Sequence, residues 1–276
     1  MNFPLKLSTL FITLLFTLFF SGCRNDDEPF NENANAPTSL QLTISKDSLN
    51  VDENATLHVT ALYDDNTSKD VSNEVEWISS NEDAVEISKN FLLTKQDINI
   101  TLQAKLKGVT SNSVSLEIYQ EINGHRLPPE PDETLNNSTL LGIDSNNNGV
   151  RDDVERWIYE EYKDKHPIYI DIAMQAGRAY KQVLETPERA REIHDEVDRA
   201  IDCQAYYKYS AKYFNEPILI QENAVNEYFR SKIYFNTQER MDAYLQYDKL
   251  LSGGAYNLPK MSERKAKCDF NTSKYE

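Results

Sequence analysis

The sequence has few of the residues on which common enzyme motifs depend. It contains 4 His, 3 Cys and 8 Gly among 276 residues. No glycines are spaced to form a phosphate-binding loop, and no serine lies in a Gly-x-Ser-x-Gly turn. These absences exclude the commonest nucleotide-binding and hydrolase signatures, although they do not exclude every enzyme.

Positively charged residues are also few in comparison with acidic ones. Lys and Arg number 29 against 45 Asp and Glu, so the formal net charge is −16. A surface this acidic repels phosphate backbones, which makes nucleic acid an improbable partner. With 39 % hydrophobic and 27 % charged residues, the composition suits soluble domains joined by polar connectors and not a multi-span membrane protein.

The amino-terminal segment predicts export. Lys6 precedes an apolar run, residues 7–20, which as a helix spans about 21 Å and is too short for a bilayer core. A positive start, a short apolar core and then small residues are typical of a secretory signal, residues 1–22. The segment ends in Phe20-Ser21-Gly22-Cys23, which resembles the lipobox of bacterial lipoproteins. The alternative is a soluble exported protein with a chance cysteine at this junction.

The lipobox resemblance implies that a peptidase cuts before Cys23. Its thiol would then carry diacylglycerol, and its amine a third acyl chain such as palmitate, so that the protein is held durably to a membrane. No Asp directly follows the cysteine, which by the same resemblance disfavours inner-membrane retention. The acidic run Asp26-Asp27-Glu28 is similar to a surface-export tag of some lipoproteins. We therefore expect an outer-membrane or cell-surface lipoprotein with a disordered polar tether, residues 23–37.

Residues 38–119 alternate between apolar and polar side chains. Period-two segments separated by Asn, Asp and Ser clusters predict an all-β, antiparallel sandwich. The apolar positions are Leu40, Leu42, Ile44, Leu57, Val59, Ala61, Val75, Trp77, Val85, Ile87, Ile98, Ile100, Leu102, Ala104, Val114, Leu116 and Ile118.

Two stretches in this segment resemble group 2 bacterial Ig-like domains. They are Asp64-Asp65-Asn66-Thr67 and the run Val71-Ser72-Asn73-Glu74-Val75-Glu76-Trp77-Ile78-Ser79-Ser80-Asn81. Asn66 replaces the usual turn glycine, which a turn tolerates. The resemblance implies an Ig-like sandwich of the kind used as a stalk or binding module in exported proteins. Trp77 is in phase with Val75, which favours a role in the core over contact with a ligand.

A Pro-rich linker, residues 120–138, precedes a second domain, residues 139–276. Apolar residues at helical spacing predict four or five helices packed as an all-α bundle, with Thr237 capping one helix and Gly253-Gly254 ending it. Cys203 and Cys268 both lie in this domain. Outside the cytoplasm two such cysteines usually pair, and the alternative is two free buried thiols.

The segment from Asp144 to Glu155 carries the clearest chemical motif. It fits the twelve-residue calcium loop D-x-[DN]-x-[DN]-G-x₅-E at every constrained position. Calcium prefers six to eight oxygen ligands, and Gly149 permits the sharp turn that brings them together. The predicted ligands are the side chains of Asp144, Asn146, Asn148, Asp152 and Glu155 and the carbonyl of Val150.

No second loop follows, and Arg151 stands where EF-hands prefer an aliphatic residue. The segment therefore resembles the single calcium loops of dockerins and thrombospondin type 3 repeats more than a paired EF-hand. Such a loop would fix the start of the following helix. The alternative is an Asn-Gly turn before an acidic helix start, where Asp152 and Asp153 complement the helix dipole.

Two further patterns give weaker evidence of a functional site. His194 and Asp198 are spaced i, i+4, which suits a zinc pair but is more typical of a solvated acidic helix face. Tyr206, Tyr207, Tyr209 and Tyr213 are so close in sequence that one helix cannot bury them all. Some must be exposed, either at a protein or glycan interface or at the edge of the core.

These patterns predict a multidomain, lipid-anchored envelope protein. An Ig-like sandwich followed by a calcium-stapled helical domain would bind an extracytoplasmic protein or glycan, with no catalytic residues and no nucleic acid partner. The alternatives are an enzyme acting on envelope polymers, with the helical domain catalytic and the Ig-like domain as spacer, and a purely structural envelope component.

Overall fold

The computed structural model describes residues 35–275. The predicted signal peptide, Cys23 and residues 23–34 of the predicted tether lie outside the described residues. The chain divides after Asn35, and one unit, Ala36–Glu276, contains both the strands and the helices described below.

The amino-terminal region is β-sandwich-like, with two five-stranded sheets. The first sheet has the order β1-β3-β7-β6, with β4 beside β3, and the second has the order β2-β10-β8-β5, with β9 beside β8. The pairs are antiparallel except β2 with β10, which is parallel. The strands are β1 Ser39–Ile44, β2 Ser48–Asn50, β3 Asn54–Leu62, β4 Ser68–Asp70, β5 Glu76–Ser79, β6 Val85–Ser88, β7 Phe91–Thr94, β8 Ile100–Leu106, β9 Val109–Thr110 and β10 Val114–Tyr119.

Buried apolar side chains alternate with outward-facing residues along the strands, and the buried side chains form the core of this region. In β3, Leu57, Val59 and Ala61 are fully buried while the residues between them face outward. Ile98 is an exception, because β8 begins two residues later and the Ile98 side chain is exposed. Trp77 is only partly buried at the edge of the core, and its Nε1 donates a hydrogen bond to the carbonyl of Lys89 at 2.6 Å.

The predicted Pro-rich linker contains a short hairpin and one turn of helix. Its strands are β11 Glu121–Ile122 and β12 His125–Arg126, and the helix is α1 Glu133–Asn137. Ile122 and Leu127 are buried, so the hairpin is packed against its surroundings. The segment that was expected to act as a spacer therefore has a defined structure of its own.

A helical region follows and has a separate hydrophobic core. Thr237 caps α5 by accepting a hydrogen bond from the backbone N–H of Arg240, and α5 ends before the predicted Gly253-Gly254 stop. The helices are α2 Asp152–Tyr162, α3 Ile168–Glu185, α4 Ala190–Phe214, α5 Gln238–Leu251 and α6 Met261–Arg264.

Val225, Tyr228, Phe229 and Ile233 are at helical spacing, which predicts one of the helices of the bundle, but the helical stretch found there is short. The segment around Val225 and Ile233 contains a single π-helical stretch, Phe229–Tyr234. Phe229 and Tyr234 are buried, whereas Tyr228 is 59 % exposed. Within residues 35–275, no helix has the length and apolar character needed to cross a bilayer.

Cys203 and Cys268 form a disulfide, with their Cα atoms 5.0 Å apart. This confirms the pairing and excludes two free thiols. Cys203 lies on α4, so the bond fastens the carboxy-terminal segment to that helix.

Candidate functional site

The Asp144–Glu155 loop follows α1 and ends in the first turn of α2. Contacts along the loop hold it in place. The backbone N–H of Asp152 donates to the carbonyl of Ile143 at 2.8 Å. Val150 is fully buried beside Gly177, where a Cβ on that glycine would lie 3.0 Å from the valine methyl groups. Gly149 has a φ of +87°, which is the left-handed conformation that the motif requires of it.

Side chains at alternate positions cap the backbone of the loop. Asp144 accepts hydrogen bonds from the N–H groups of Asn148 at 3.1 Å and Gly149 at 3.0 Å. The Asn146 oxygen also accepts from Asn148 N–H, and the Asn148 oxygen accepts from Val150 N–H at 2.8 Å. These bonds wind the loop around its own polar side chains.

Glu155 is the residue toward which the loop converges. Its side chain is fully buried. Its Oε2 accepts hydrogen bonds from the amide nitrogens of Asn146 and Asn148, and its Oε1 accepts from His125 Nε2 at 2.7 Å. The His125 ring stacks on Tyr159 with centroids 4.1 Å apart. The hairpin therefore supplies a partner to the last acidic residue of the motif.

Two carboxylates of the loop differ in their surroundings: Asp144 has a positively charged neighbour, and Asp152 is buried. Lys181 Nζ of α3 lies 3.5 Å from Asp144 Oδ2. Asp152 is almost fully buried and accepts from Ser145 N–H at 3.0 Å. Burial raises the pKa of the Asp152 carboxyl, and the charges of Asp144 and Glu155 raise it further.

The predicted ligands thus all lie in one loop, and they offer oxygen atoms, which are the ligand atoms that calcium prefers. The set offers three carboxylates, two amide groups and one backbone carbonyl, which are hard oxygen donors. Asn146 and Asn148 direct amide nitrogen toward Glu155, and a half-turn of each amide would present oxygen instead. Among residues 35–275 no group of three or more His, Cys, Asp or Glu side chains is arranged to hold a metal ion, so the amides would have to contribute.

Arg151 is a residue whose role the sequence did not reveal. Its side chain is buried, and its guanidinium donates to the carbonyls of Ile233 at 3.1 Å and Tyr234 at 3.2 Å and to Asn236 Oδ1 at 3.3 Å. A Cβ on Gly142 would overlap the Arg151 side chain at 2.2 Å. The departure from the EF-hand pattern at this position therefore fastens the loop to the π-helical segment.

The other predicted patterns have ordinary structural roles. Asp65 accepts a hydrogen bond from Thr67 N–H at 2.9 Å in the turn that includes Asn66, whose φ is +61°. His194 Nε2 lies 3.5 Å from Asp198, and its ring packs against the edge of Tyr256 at 4.2 Å.

Some tyrosines of α4 are buried and others are exposed, as their spacing in the sequence requires. Tyr206 and Tyr207 are buried, whereas Tyr209 is 47 % and Tyr213 is 56 % exposed.

Comparison with known proteins gave no match. No family model matches the chain, and no curated protein matches it.

Proposed function

We propose that this protein is a lipid-anchored component of a bacterial cell envelope that binds a protein or glycan outside the membrane. Its amino-terminal module is an Ig-like sandwich, and its helical domain is stapled by calcium at the Asp144–Glu155 loop. Two observations support this location. The sequence Phe20-Ser21-Gly22-Cys23 fits a lipobox, and the Cys203–Cys268 disulfide is typical of compartments outside the reducing cytosol.

The conformation of the Asp144–Glu155 loop, with Gly149 at positive φ and alternate side chains bonded to the backbone, is the observation that supports the metal proposal. Asp144, Asn146, Asn148, Asp152 and Glu155 would hold the ion together with the Val150 carbonyl. The ion would supply positive charge to a group of acidic side chains, and so stabilise the start of α2. His125 and Lys181, which hold Glu155 and Asp144, prepare the loop by keeping those carboxylates in place.

The strand arrangement supports an Ig-like module. Two sheets of short strands, antiparallel except for the β2–β10 pair, are compatible with that architecture, and the turn at Asn66 lies where the resemblance requires one. The packing of the partly buried Trp77 against the core agrees with a structural role for that residue. Such a module would hold the helical domain away from the membrane.

Calcium titration tests the metal. Isothermal titration of the full chain should show one calcium ion per chain, with a Kd of about 10⁻⁴–10⁻³ M, the range of extracellular modules. Glu155→Gln should weaken binding at least tenfold because it removes a carboxylate oxygen. Glu160→Gln, an exposed position on the same helix, is the control and should bind as the native chain does. Absence of heat and of any melting shift in excess calcium would refute the metal site.

Metabolic labelling tests the anchor. The full chain expressed in a bacterium fed an alkyne-tagged palmitate should incorporate the label, and Cys23→Ser should abolish it. Cys268→Ser is the matched control because it removes a cysteine that is paired in the folded protein. Equal labelling of Cys23→Ser and the native chain would contradict acylation at this residue.

A further inference from the structure

We propose that the pocket between the end of α4 and the carboxy-terminal segment binds a neutral glycan. The inference deepens the proposed binding function by naming its ligand class and its site. The pocket has a cavity volume of about 410 Å³, within the range of small-molecule sites. Its lining residues are Tyr207, Glu216, Pro217, Leu219, Lys265 and Tyr275.

The two walls come from segments far apart in the sequence and are fixed to each other. The disulfide from Cys203 holds the carboxy-terminal segment at α4. The Gln175 amide donates to the carbonyl of Lys267 at 2.8 Å, and the Tyr275 hydroxyl donates to Asp171 at 2.6 Å. These links tie the wall that carries Lys265 and Tyr275 to α3 and α4. The pocket is therefore formed before any ligand arrives, which lowers the entropic cost of binding.

Aromatic rings provide the apolar surface of the pocket. Tyr207 and Tyr275 approach edge to face, with centroids 6.5 Å apart. Pro217 and Leu219 extend this surface. Tyrosine is suited to such sites because it combines a large rigid ring with a polar end.

Two charged groups of opposite sign lie among these rings. Glu216 accepts hydrogen bonds from the Tyr206 hydroxyl at 2.8 and 2.7 Å on its two oxygens. Lys265 Nζ lies 5.6 Å from the centroid of the same tyrosine ring. Among the described residues that line the pocket, Glu216 is acidic and Lys265 is basic, so the formal charges of these two side chains cancel. Hydrogen bonds to such charged groups are stronger than those to neutral ones.

This combination fits a pyranose better than other ligands. A sugar ring has an apolar face of C–H groups that packs on an aromatic ring and an edge of hydroxyls that bonds to charged side chains. A hydrocarbon chain would remove water from Glu216 and Lys265 without offering them hydrogen bonds, which is costly. A phosphorylated ligand would meet Glu216 and a chain whose net charge is −16. The balanced lining therefore favours an uncharged sugar.

Exposed apolar residues continue the surface beyond the pocket. Phe214 is 42 % and Ile218 is 58 % exposed, and Tyr213 lies beside Phe214 with ring centroids 6.3 Å apart. Phe214 in turn stacks on Tyr206 at 6.0 Å. This row, adjacent in sequence to Glu216, offers further contact area to an oligosaccharide longer than the pocket itself.

The test uses the full chain and defined sugars. The chain is applied to an array of neutral and N-acetylated oligosaccharides, and saturation-transfer NMR is recorded with maltose and N,N′-diacetylchitobiose. We expect binding to a neutral oligosaccharide, with saturation strongest at its ring C–H protons. Glu216→Gln and Tyr275→Ala should each raise the Kd at least tenfold. The matched controls Glu192→Gln, at the opposite end of α4, and Tyr256→Ala should leave it unchanged.

Circular dichroism melting shows whether each variant is folded. Glu216→Gln is nearly isosteric, so it tests the site even if Tyr275→Ala fails to fold. Lack of binding to every sugar, or binding that both pocket variants retain, overturns the proposal. Binding of an unrelated peptide ligand that the pocket variants lose would also overturn it. In each case calcium binding and acylation at Cys23 would stand, so failure here is distinguishable from failure of the envelope role.

Discussion

Two buried guanidinium groups hold the chain on either side of the Asp144–Glu155 loop in place. Arg240 is fully buried and donates to the carbonyls of Asn136 at 2.6 Å, Leu140 at 2.9 Å and Thr139 at 3.1 Å. Arg151 fastens the loop itself to the π-helical segment. Burial, with the charge of Arg151, lowers the pKa of Arg240 to about 10, so it remains a cation at neutral pH. One side chain thus satisfies several carbonyls at the end of α1.

Replacing Arg240 should destabilise the helical region strongly. Arg240→Ala removes a fully buried side chain and the donor to these three carbonyls, of which that of Asn136 is buried, and we expect a loss of about 3–5 kcal/mol in the free energy of unfolding. Urea denaturation followed by circular dichroism measures the loss. Arg189→Ala removes an exposed arginine paired with Glu192 and should cost no more than about 1 kcal/mol. Similar effects for the two variants would contradict the structural role assigned to Arg240.

The sequence predicted residues whose role is local. Thr237 as a helix cap and Gly149 as the turn residue follow from chemistry within a few positions, and both are confirmed. The partners of Arg151 and Arg240 could not be predicted, because they lie some 80 to 104 positions away in the chain. His125 was missed for the same reason, since its contact with Glu155 spans 30 positions.

Among the elements, α4 has several structural roles at once. It is 25 residues long, packs on α3, and carries the disulfide on its buried face. Its outer side bears Tyr209 and Tyr213, and its end forms one side of the proposed sugar pocket. Fastening the carboxy-terminal segment to this helix therefore affects both stability and the shape of that pocket.

Removing the disulfide should weaken the helical region measurably. The bond joins residues 65 positions apart, and the chain-entropy model gives about 4 kcal/mol for a loop of that length. A Cys203→Ala/Cys268→Ala double variant should lose a similar amount in urea denaturation. Reducing agent should lower the stability of the native chain to the same level and leave the variant unchanged. A double variant as stable as the oxidised chain would refute this.

Element type was predicted more accurately than element boundaries. Period-two and helical spacing identified the main strands and helices because each buries one regular face. The hairpin β11–β12 has two residues per strand, too few to show a period. The apolar residues around Phe229 have the spacing of a regular helix, but a π-helical stretch forms there. Its carbonyls at Ile233 and Tyr234 accept hydrogen bonds from Arg151.

At the scale of the whole molecule, Arg156 connects the sandwich to the helices. From α2 it bonds to Asp97, which precedes β8, and donates to the Gln120 side chain and the Pro128 carbonyl, each at 2.8 Å. Glu130 also pairs with it. Arg156 and Asp97 are both largely buried, so these charges are shielded from solvent.

Arg156 should couple the unfolding of the two regions. Each region has its own hydrophobic core, so cooperation between them depends on this junction. We expect calorimetry to show one transition for the native chain and two separated transitions for Arg156→Met. Arg126→Met, which removes an exposed pair with Glu117, should keep a single transition. A single transition in Arg156→Met would show that the junction does not depend on this residue.

The sandwich and the helical region each have a hydrophobic core. The ordered junction between them was not predicted, because a stretch rich in proline and acidic residues indicates a semi-stiff spacer. What orders the segment is a set of long-range contacts from α2, above all those of Arg156 and the stacking of His125 on Tyr159. Such contacts have no signature in a single sequence.

If the chain is exported, as we propose, the spacing of the disulfide also sets the order in which its two cysteines leave the cytosol. If the chain crosses the membrane amino terminus first, Cys203 emerges well before Cys268, with 65 positions between them. Over that interval Cys203 is an unpaired thiol on the far side of the membrane, and the only earlier cysteine is Cys23. Acylation of Cys23 would remove that competitor. Attachment of the lipid would then protect oxidative folding from a wrong crosslink, in addition to fixing the protein in place.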